Sequence, residues 1–262
     1  MIIQQYLGIQ DKNICVVEVI PALKTKGRIM FISGYGQCKS GYFCMHIRLA
    51  KILCENGYHS ILYDHPGLGD SSGDLQQYSW IDYKQIALEL SKIYMLNDSP
   101  LYYLGIGVGA NIAIQLSETN DAKVIGIANW LSRYPSLSEM GLELSHKIEF
   151  SKLYDEVYTS NYMRILGGSK HHTSGFFANP MFFEQLAKEK NFFEFIKGKD
   201  IMLAYGEHDF SNKIKEQYRK IQEIEQNGGY VAIVKDSDRF FSFADWQDQL
   251  FEYLISWLQQ NE

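Results

Sequence analysis

Apolar runs of about five residues recur along the chain, separated by stretches in which apolar positions repeat every three or four residues. The runs predict strands near Cys15–Ile20, Arg28–Ser33, His59–Asp64, Leu101–Gly105, Lys123–Asn129, Asp200–Gly206 and Tyr230–Lys235. Several are apolar without alternation, such as Ile29-Met30-Phe31-Ile32 and Val231-Ala232-Ile233-Val234, the pattern of strands covered by helices on both faces. Helical spacing puts Phe43, Ile47, Ala50 and Cys54 on one face, Tyr83, Ile86, Leu90 and Ile93 on another, and Trp246, Leu250, Tyr253 and Trp257 on a third. Ser79-x-x-Asp82 and Ser242-x-x-Asp245 have the form of capping boxes opening the last two helices. The Lys- and Glu-rich run Lys213–Gln226 predicts a solvated helix face. Alternating strands and helices imply right-handed crossovers and a doubly wound, mostly parallel α/β sheet.

The rhythm stops between Trp130 and Gly198, where short helical patterns occur without a buried strand. A structureless loop of that length is implausible in a compact domain, so the pattern predicts a core of residues 1–129 and 199–262 with a helical cap over 130–198. Its aromatic run, Phe176-Phe177-Ala178-Asn179-Pro180-Met181-Phe182-Phe183, either packs the insertion onto the body or faces a ligand at the carboxyl ends of the strands.

Composition narrows the function class. The chain has 262 residues, 46% hydrophobic and 21% charged, which excludes a disordered or fibrous protein. A net charge of −6 argues against nucleic acid or an anionic membrane surface as the main partner. No apolar stretch approaches the ~20 residues of a membrane span. Met1–Tyr6 lacks a basic-then-apolar signal, and Cys15, Cys38, Cys44 and Cys54 include no C-x-x-C pair, which together predict a cytoplasmic protein without a disulfide framework or thiolate metal site. No cofactor and no metal are expected.

Leu101-Tyr102-Tyr103-Leu104 runs through Gly105-Ile106-Gly107-Val108-Gly109 into Ala110-Asn111-Ile112, a strand, a glycine turn and a helix. Gly105, Gly107 and Ala110 match the dinucleotide fingerprint G-x-G-x-x-[GA], whereas Gly105 and Gly109 match the flanks of the nucleophile elbow G-x-S-x-G, with Gly107 in place of serine. A dinucleotide site would place a carboxylate at the end of the next strand, which here reads Ile127-Ala128-Asn129-Trp130. At least two βα units also precede the motif, so context favours the elbow.

With that motif the chain resembles the α/β-hydrolase family over nearly its whole length. Phe31-Ile32-Ser33-Gly34-Tyr35-Gly36 resembles the oxyanion loop H-G-x-G, with Ser33 where histidine is common. Tyr63-Asp64-His65-Pro66-Gly67-Leu68-Gly69-Asp70-Ser71 resembles the D-x-R-G-x-G-x-S loop, with His65-Pro66 in place of x-R. Ala204-Tyr205-Gly206-Glu207-His208-Asp209 resembles the segment carrying the triad acid, at Asp209. Lys235-Asp236-Ser237-Asp238-Arg239-Phe240-Phe241 resembles the segment carrying the triad histidine, with Arg239 in its place. Gly41 to Gly73 also resembles, more weakly, hydrolases associated with bacterial exosortase systems.

The resemblance implies an α/β-hydrolase fold with a helical lid and a degenerate triad. Glycine has no nucleophile, and a guanidinium stays protonated near neutral pH, so it is no general base. Glycine also relieves the ~1–3 kcal/mol of strain that an elbow imposes on other residues. Arg239 is then expected to form an ion pair with Asp209. Backbone N–H groups of Tyr35 and Val108, beside Gly34, occupy the oxyanion positions and survive loss of the serine. The expected function is a pseudoenzyme binding a small-molecule acyl or carboxyl ligand. The rival is an enzyme of altered chemistry on acyl ester or thioester substrates, using the oxyanion hole with Asp209 or a lid histidine.

Other residues carry candidate chemistry. Cys38, in the oxyanion loop, is a possible substitute nucleophile but has no assigned base. His171 and His172 fall in the insertion and either face the pocket or the solvent. His208, Asp209, Asp236 and Asp238 are metal-ligand types, but adjacent residues rarely ligate one ion together. His65 is expected to cap its loop.

Overall fold

All seven predicted runs become strands of one sheet. The computed structural model describes residues 1–95, 99–120, 122–130, 177–189, 199–209 and 218–261, with Tyr134, Ser136, Ile148–Glu149 and Ile196. In chain order the elements are β1 (Ile2–Ile9), β2 (Lys12–Val19), β3 (Gly27–Ile32), α1 (Met45–Glu55), β4 (Tyr58–Tyr63), α2 (Trp80–Tyr94), β5 (Leu101–Ile106), α3 (Val108–Leu116) and β6 (Lys123–Ile127). There follow β7 (Ile148–Glu149), β8 (Phe177–Ala178), α4 (Pro180–Ala187), β9 (Ile201–Gly206), α5 (Tyr218–Gln226), β10 (Tyr230–Val234) and α6 (Ala244–Gln260).

The main sheet has eight strands in the order β1-β2-β4-β3-β5-β6-β9-β10. It is parallel from β4 to β10, and β1 and β2 add an antiparallel edge. Alternate residues feed two separate cores. Met30, Ile32 and Tyr103 face one side of the sheet with Trp80, Tyr83 and Phe182, while Ile29, Phe31, Tyr102 and Leu104 face the other with Leu49, Leu254 and Trp257. Each such buried side chain contributes about 1.5–3 kcal/mol of transfer free energy.

The sequence carries little signal for β1. Its half-buried positions, Ile3, Gln5 and Leu7, include a polar residue, and its exposed positions include Ile2 and Tyr6, so no clean alternation marks it. Pairing of Ile9 with Lys12 across a two-residue turn holds it. The buried helix faces also differ from expectation. Phe43 and Cys44 take left-handed backbones (φ 51° and 56°), so α1 starts at Met45 and buries Met45, His46, Leu49, Ala50 and Leu53. Ile93 and Tyr253 lie on the exposed sides of α2 and α6.

The Ser79–Asp82 capping box forms in full. The predicted Ser242–Asp245 box does not. Phe243 is the N-cap of α6 without a side-chain cap, and Ser242 instead donates its hydroxyl to Asp238 at 2.5 Å. Within 130–198 the described elements are α4 and the short β7–β8 pair, so that stretch is not wholly helical. Asn179 caps α4 by accepting from Met181 N (2.9 Å), with Pro180 at its first position. Phe182 and Phe183 are fully buried, so for these two the packing alternative holds. Helix α5 covers the later part of the predicted Lys213–Gln226 run, whose first five residues lie outside the described residues.

His65 does not cap its loop. It lies in the core, stacked on Tyr83 with centroids 4.0 Å apart and ring planes 3° from parallel, and burial pushes its pKa down to about 3. Burial likewise lowers His46 to about 4, although its Nδ1 contacts the Lys39 carbonyl at 3.2 Å. Above the ordinary histidine pKa of about 6.5 both rings are neutral, folded or unfolded, and stability does not depend on them. As pH falls below 6.5 the unfolded chain takes up protons that the folded chain refuses. Each ring then costs about 1.4 kcal/mol per pH unit until its folded pKa, about 4 or about 3, is reached. Denaturant titrations between pH 6.5 and 4 should show this loss, and His65→Phe should flatten the slope by about one proton. An unchanged slope would mean that His65 is not buried in its neutral form.

Candidate functional site

Strand β3 lies between β4 and β5, so the chain leaves it in one direction and returns on the other side. This reversal makes a crevice at the carboxyl ends of β3 and β5, the usual binding place in open α/β sheets. Register aligns Ile32 with Gly105, Ile106 with Ile127, Ile127 with Ala204, and Gly206 with Val234. The loops after β3, β5, β6, β9 and β10 therefore open on one edge.

The turn from β5 into α3 has an elbow backbone. Gly107 has φ 57° and ψ −122°, a region costly to side chains other than glycine. Its N–H donates to Ile127 O (2.8 Å) and its carbonyl accepts from Ala110 N (3.2 Å). The flanking glycines are required by contact. A Cβ on Gly105 would lie 2.3 Å from Ala110 Cα, and one on Gly109 would lie 2.1 Å from Ile32 O. Gly107 is different. Among the described residues outside its own chain neighbours, a Cβ there would meet only Arg239 Nη2, at 3.8 Å.

The loop after β3, where the sequence resemblance puts the oxyanion donors, closes through Gly34 and Gln37. Gly34 N donates to Gln37 Oε1 (3.0 Å), and Gln37 N donates to Gly34 O (3.1 Å). The Gly34 N–H is thus committed to loop shape. Val108 is the first residue of α3, so its N–H has no intrahelical acceptor. Tyr35 sends its side chain the other way. Its ring packs on Phe182 (4.0 Å between centroids), Phe183 (5.1 Å) and Tyr83 (5.9 Å), and its hydroxyl accepts from Asn179 N at 2.9 Å. Burial raises its pKa, keeping the hydroxyl neutral. Helix α4 therefore packs on a side chain from the loop after β3.

Asp209 and Arg239 are brought together by backbone bonds between two loops. Glu207 N donates to Val234 O (3.0 Å) and His208 N to Ser237 O (2.9 Å). Gly206 permits this approach, since a Cβ there would lie 2.2 Å from Asp238 O. Asp238 accepts from Phe240 N (2.8 Å) and Ser242 N (3.2 Å) and so sets the loop that aims Arg239. The expected ion pair is present. Arg239 Nη1 donates to both Asp209 oxygens, at 3.3 and 3.2 Å, and both residues are buried. The guanidinium carbon lies 5.9 Å from the Trp130 ring centroid, a cation–π contact.

The remaining candidates fall elsewhere. Cys38 Sγ lies 2.9 Å from Ser40 Oγ, and among the described residues no imidazole hydrogen-bonds it. His171 and His172 lie outside the described residues. The suggested metal-ligand set divides. Asp209 faces Arg239, Asp238 holds its own loop, and His208 and Asp236 meet Glu207 at the surface. A second acidic group, Asp64 with Asp70, already holds a cation, because Lys39 Nζ lies 2.6 Å from a carboxylate oxygen of each. Sequence reasoning missed Trp130 as the partner of the guanidinium. Its position three residues beyond β6, the strand paired with β5, was the available signal. It also missed Asn111, buried on α3 with neither amide atom hydrogen-bonded among the described residues, for which no periodicity gives a cue.

No family model matches the chain, and no curated protein matches it. Solved structures do. An α/β hydrolase, GrgF, from Penicillium sp. sh18 superposes with a TM-score of 0.73 at 16% identity, covering 99% of this chain and 98% of that one. Est1E from Butyrivibrio proteoclasticus, solved with ferulic acid, gives 0.75 at 10% identity, with 98% of each chain covered. A lipase in an open form gives 0.76 at 13% identity, with 99% of each covered. The chain has the α/β-hydrolase fold. No helix among the described residues is long and apolar enough to cross a membrane.

Removing one partner of a buried ion pair strands the other charge, typically at a cost of about 3–5 kcal/mol. Asp209→Asn should therefore lower unfolding stability by roughly that amount, measured by urea titration. The double change Asp209→Leu with Arg239→Met should recover most of the loss. A single-variant loss below about 1 kcal/mol would mean that the pair is hydrated and not buried.

Proposed function

We propose that this chain is a hydrolase-like binding protein. It holds an acyl or carboxyl ligand at the elbow, capped by the 130–198 insertion, without forming an acyl-enzyme. The observation that carries this reading is the environment of Gly107. The backbone keeps elbow angles, yet the nearest described group in front of it is a guanidinium, at 3.8 Å. Acyl transfer at an elbow needs a hydroxyl or thiol and a base that takes its proton. Glycine supplies no nucleophile, and arginine keeps its proton.

The fold neighbours support a hydrolase-like scaffold, and one of them, Est1E, was solved with ferulic acid, a free carboxylic acid. The seat of α4 on Tyr35 supports a cap coupled to the oxyanion loop. The rival, altered chemistry with Asp209 as base, is disfavoured because both carboxylate oxygens accept from Arg239 Nη1.

Incubation with p-nitrophenyl esters and acyl thioesters should give neither a burst nor an acyl adduct in the intact mass, and a fluorophosphonate probe should not label the protein. Loss of a triad nucleophile costs on the order of 10⁶ in kcat, which leaves any residual rate far below that of ordinary serine hydrolases. Gly107→Ser with Arg239→His should restore fluorophosphonate labelling, since among the described residues a Cβ at residue 107 meets only Arg239 Nη2, at 3.8 Å. A covalent acyl adduct on the unaltered chain would overturn the reading.

A further inference from the structure

We propose that β1 is a docking edge for a second copy of this chain, paired antiparallel across a two-fold axis at Gln5. The proposal is independent of the binding reading above and concerns the other end of the sheet order from β9 and β10.

The hairpin with β2 decides which backbone groups of β1 face outward. Met1 and Ile20 exchange both bonds, Met1 N to Ile20 O (2.7 Å) and Ile20 N to Met1 O (2.8 Å). Alternation along an antiparallel ladder then makes Ile3–Glu18, Gln5–Val16, Leu7–Ile14 and Ile9–Lys12 the hydrogen-bonded pairs. Ile2, Gln4, Tyr6 and Gly8 therefore direct their N–H and C=O groups away from β2. Strand β1 ends the strand order, and among the described residues nothing hydrogen-bonds these groups.

Edge strands are ordinarily guarded by shortness, a bulge, a proline or a charge. Strand β1 has none of these. It runs for eight residues, its register to β2 is unbroken, and residues 2–10 carry neither charge nor proline. The other edge, β10, has five residues and runs into Lys235 and Asp236. Ile2 is 63% and Tyr6 57% exposed, and a Cβ on Gly8 would meet no described atom within 4 Å. An uncharged, regular edge of this length is a template for another strand.

The order of residues in β1 selects its own copy. In an antiparallel pair centred on Gln5, Ile2 lies opposite the partner's Gly8 and Gln4 opposite the partner's Tyr6, and the two-fold axis repeats both. Every outward N–H and C=O of Ile2, Gln4, Tyr6 and Gly8 is then used. Moving the axis to Gln4 or Tyr6 leaves one of these residues unpaired on each chain. The intervening positions set Ile3 against the partner's Leu7, both half-buried, and Leu7 already packs on the core beneath. No like charges meet. The contact is isologous and consumes the edge, so assembly stops at two. Eight residues a side is fewer than the ~20–30 of a standard interface, so the dimer is reversible, with a Kd on the order of micromolar.

The test is sedimentation velocity of the full chain from about 1 to 300 μM, a range that brackets such a Kd. A dimer should form within it. Gln4→Pro removes an outward N–H that the chain itself does not use, so it should leave the thermal melt in place and raise Kd at least tenfold. Gln4→Lys with Tyr6→Lys sets lysines opposite one another and should do the same without altering the backbone. Cys44 is exposed, so cross-linking is read in a Cys44→Ser background. There Gln5→Cys should give a disulfide-linked dimer with oxidised glutathione, because residue 5 faces its own copy at a non-hydrogen-bonded position. Ile3→Cys, facing the partner's Leu7, should not. A monomer throughout, or a dimer indifferent to both Gln4→Pro and the double lysine change, would overturn the proposal. Cross-linking through Ile3→Cys in preference to Gln5→Cys would overturn the axis at Gln5. Assembly beyond two would overturn the closed two-fold pairing.

Discussion

A guanidinium cannot lose its proton to escape burial, so an arginine enclosed at the edge of a sheet must find a counter-charge there. Arg239 finds it in Asp209, and much of the local architecture serves that meeting. The β9 and β10 loops are stitched by backbone bonds from Glu207 and His208. Gly206 lets them approach, and Asp238 fixes the bend from which Arg239 reaches inward. In a serine hydrolase the same two loops would align an imidazole on its acid. Here they align a permanent cation, and the carboxylate is occupied in neutralising it.

The turn from β5 into α3 and its neighbours impose backbone requirements of their own. Gly105 and Gly109 are held to glycine by the close passage of α3 over β5 and β3, a packing constraint independent of catalysis. The strained angles at residue 107 follow from the same passage. What the turn presents to the crevice is a set of backbone donors next to a buried positive group.

A second layer lies beneath the loop after β3. Tyr35 connects its loop to α4, and α4 is tied to α2 and α3 where Trp80 Nε1 (2.7 Å) and Lys84 (2.9 Å) of α2 and Gln115 (3.2 Å) of α3 converge on Glu189 just past its end. His65, stacked on Tyr83 in that layer, stays neutral because burial disfavours its charged form. Helix α4 and the loop after β3 thus share one aromatic cluster.

The sequence by itself determined the sheet, the elbow, the absence of a nucleophile at residue 107 and the pairing expected of Arg239. Those features depend on local apolar runs, glycine spacing and the fixed charge of a side chain. It did not mark β1, whose edge position leaves no clean alternation, nor the buried face of α1, which is turned by the left-handed pair Phe43-Cys44. The tertiary structure decided that Ser242 serves Asp238 and not helix α6, that His65 is a core residue, and that Nη2 rather than Nη1 faces the elbow. Each of these depends on which segments meet across the sheet. Hydrogen-bond partners and burial are properties of that meeting and leave no periodic trace in the chain.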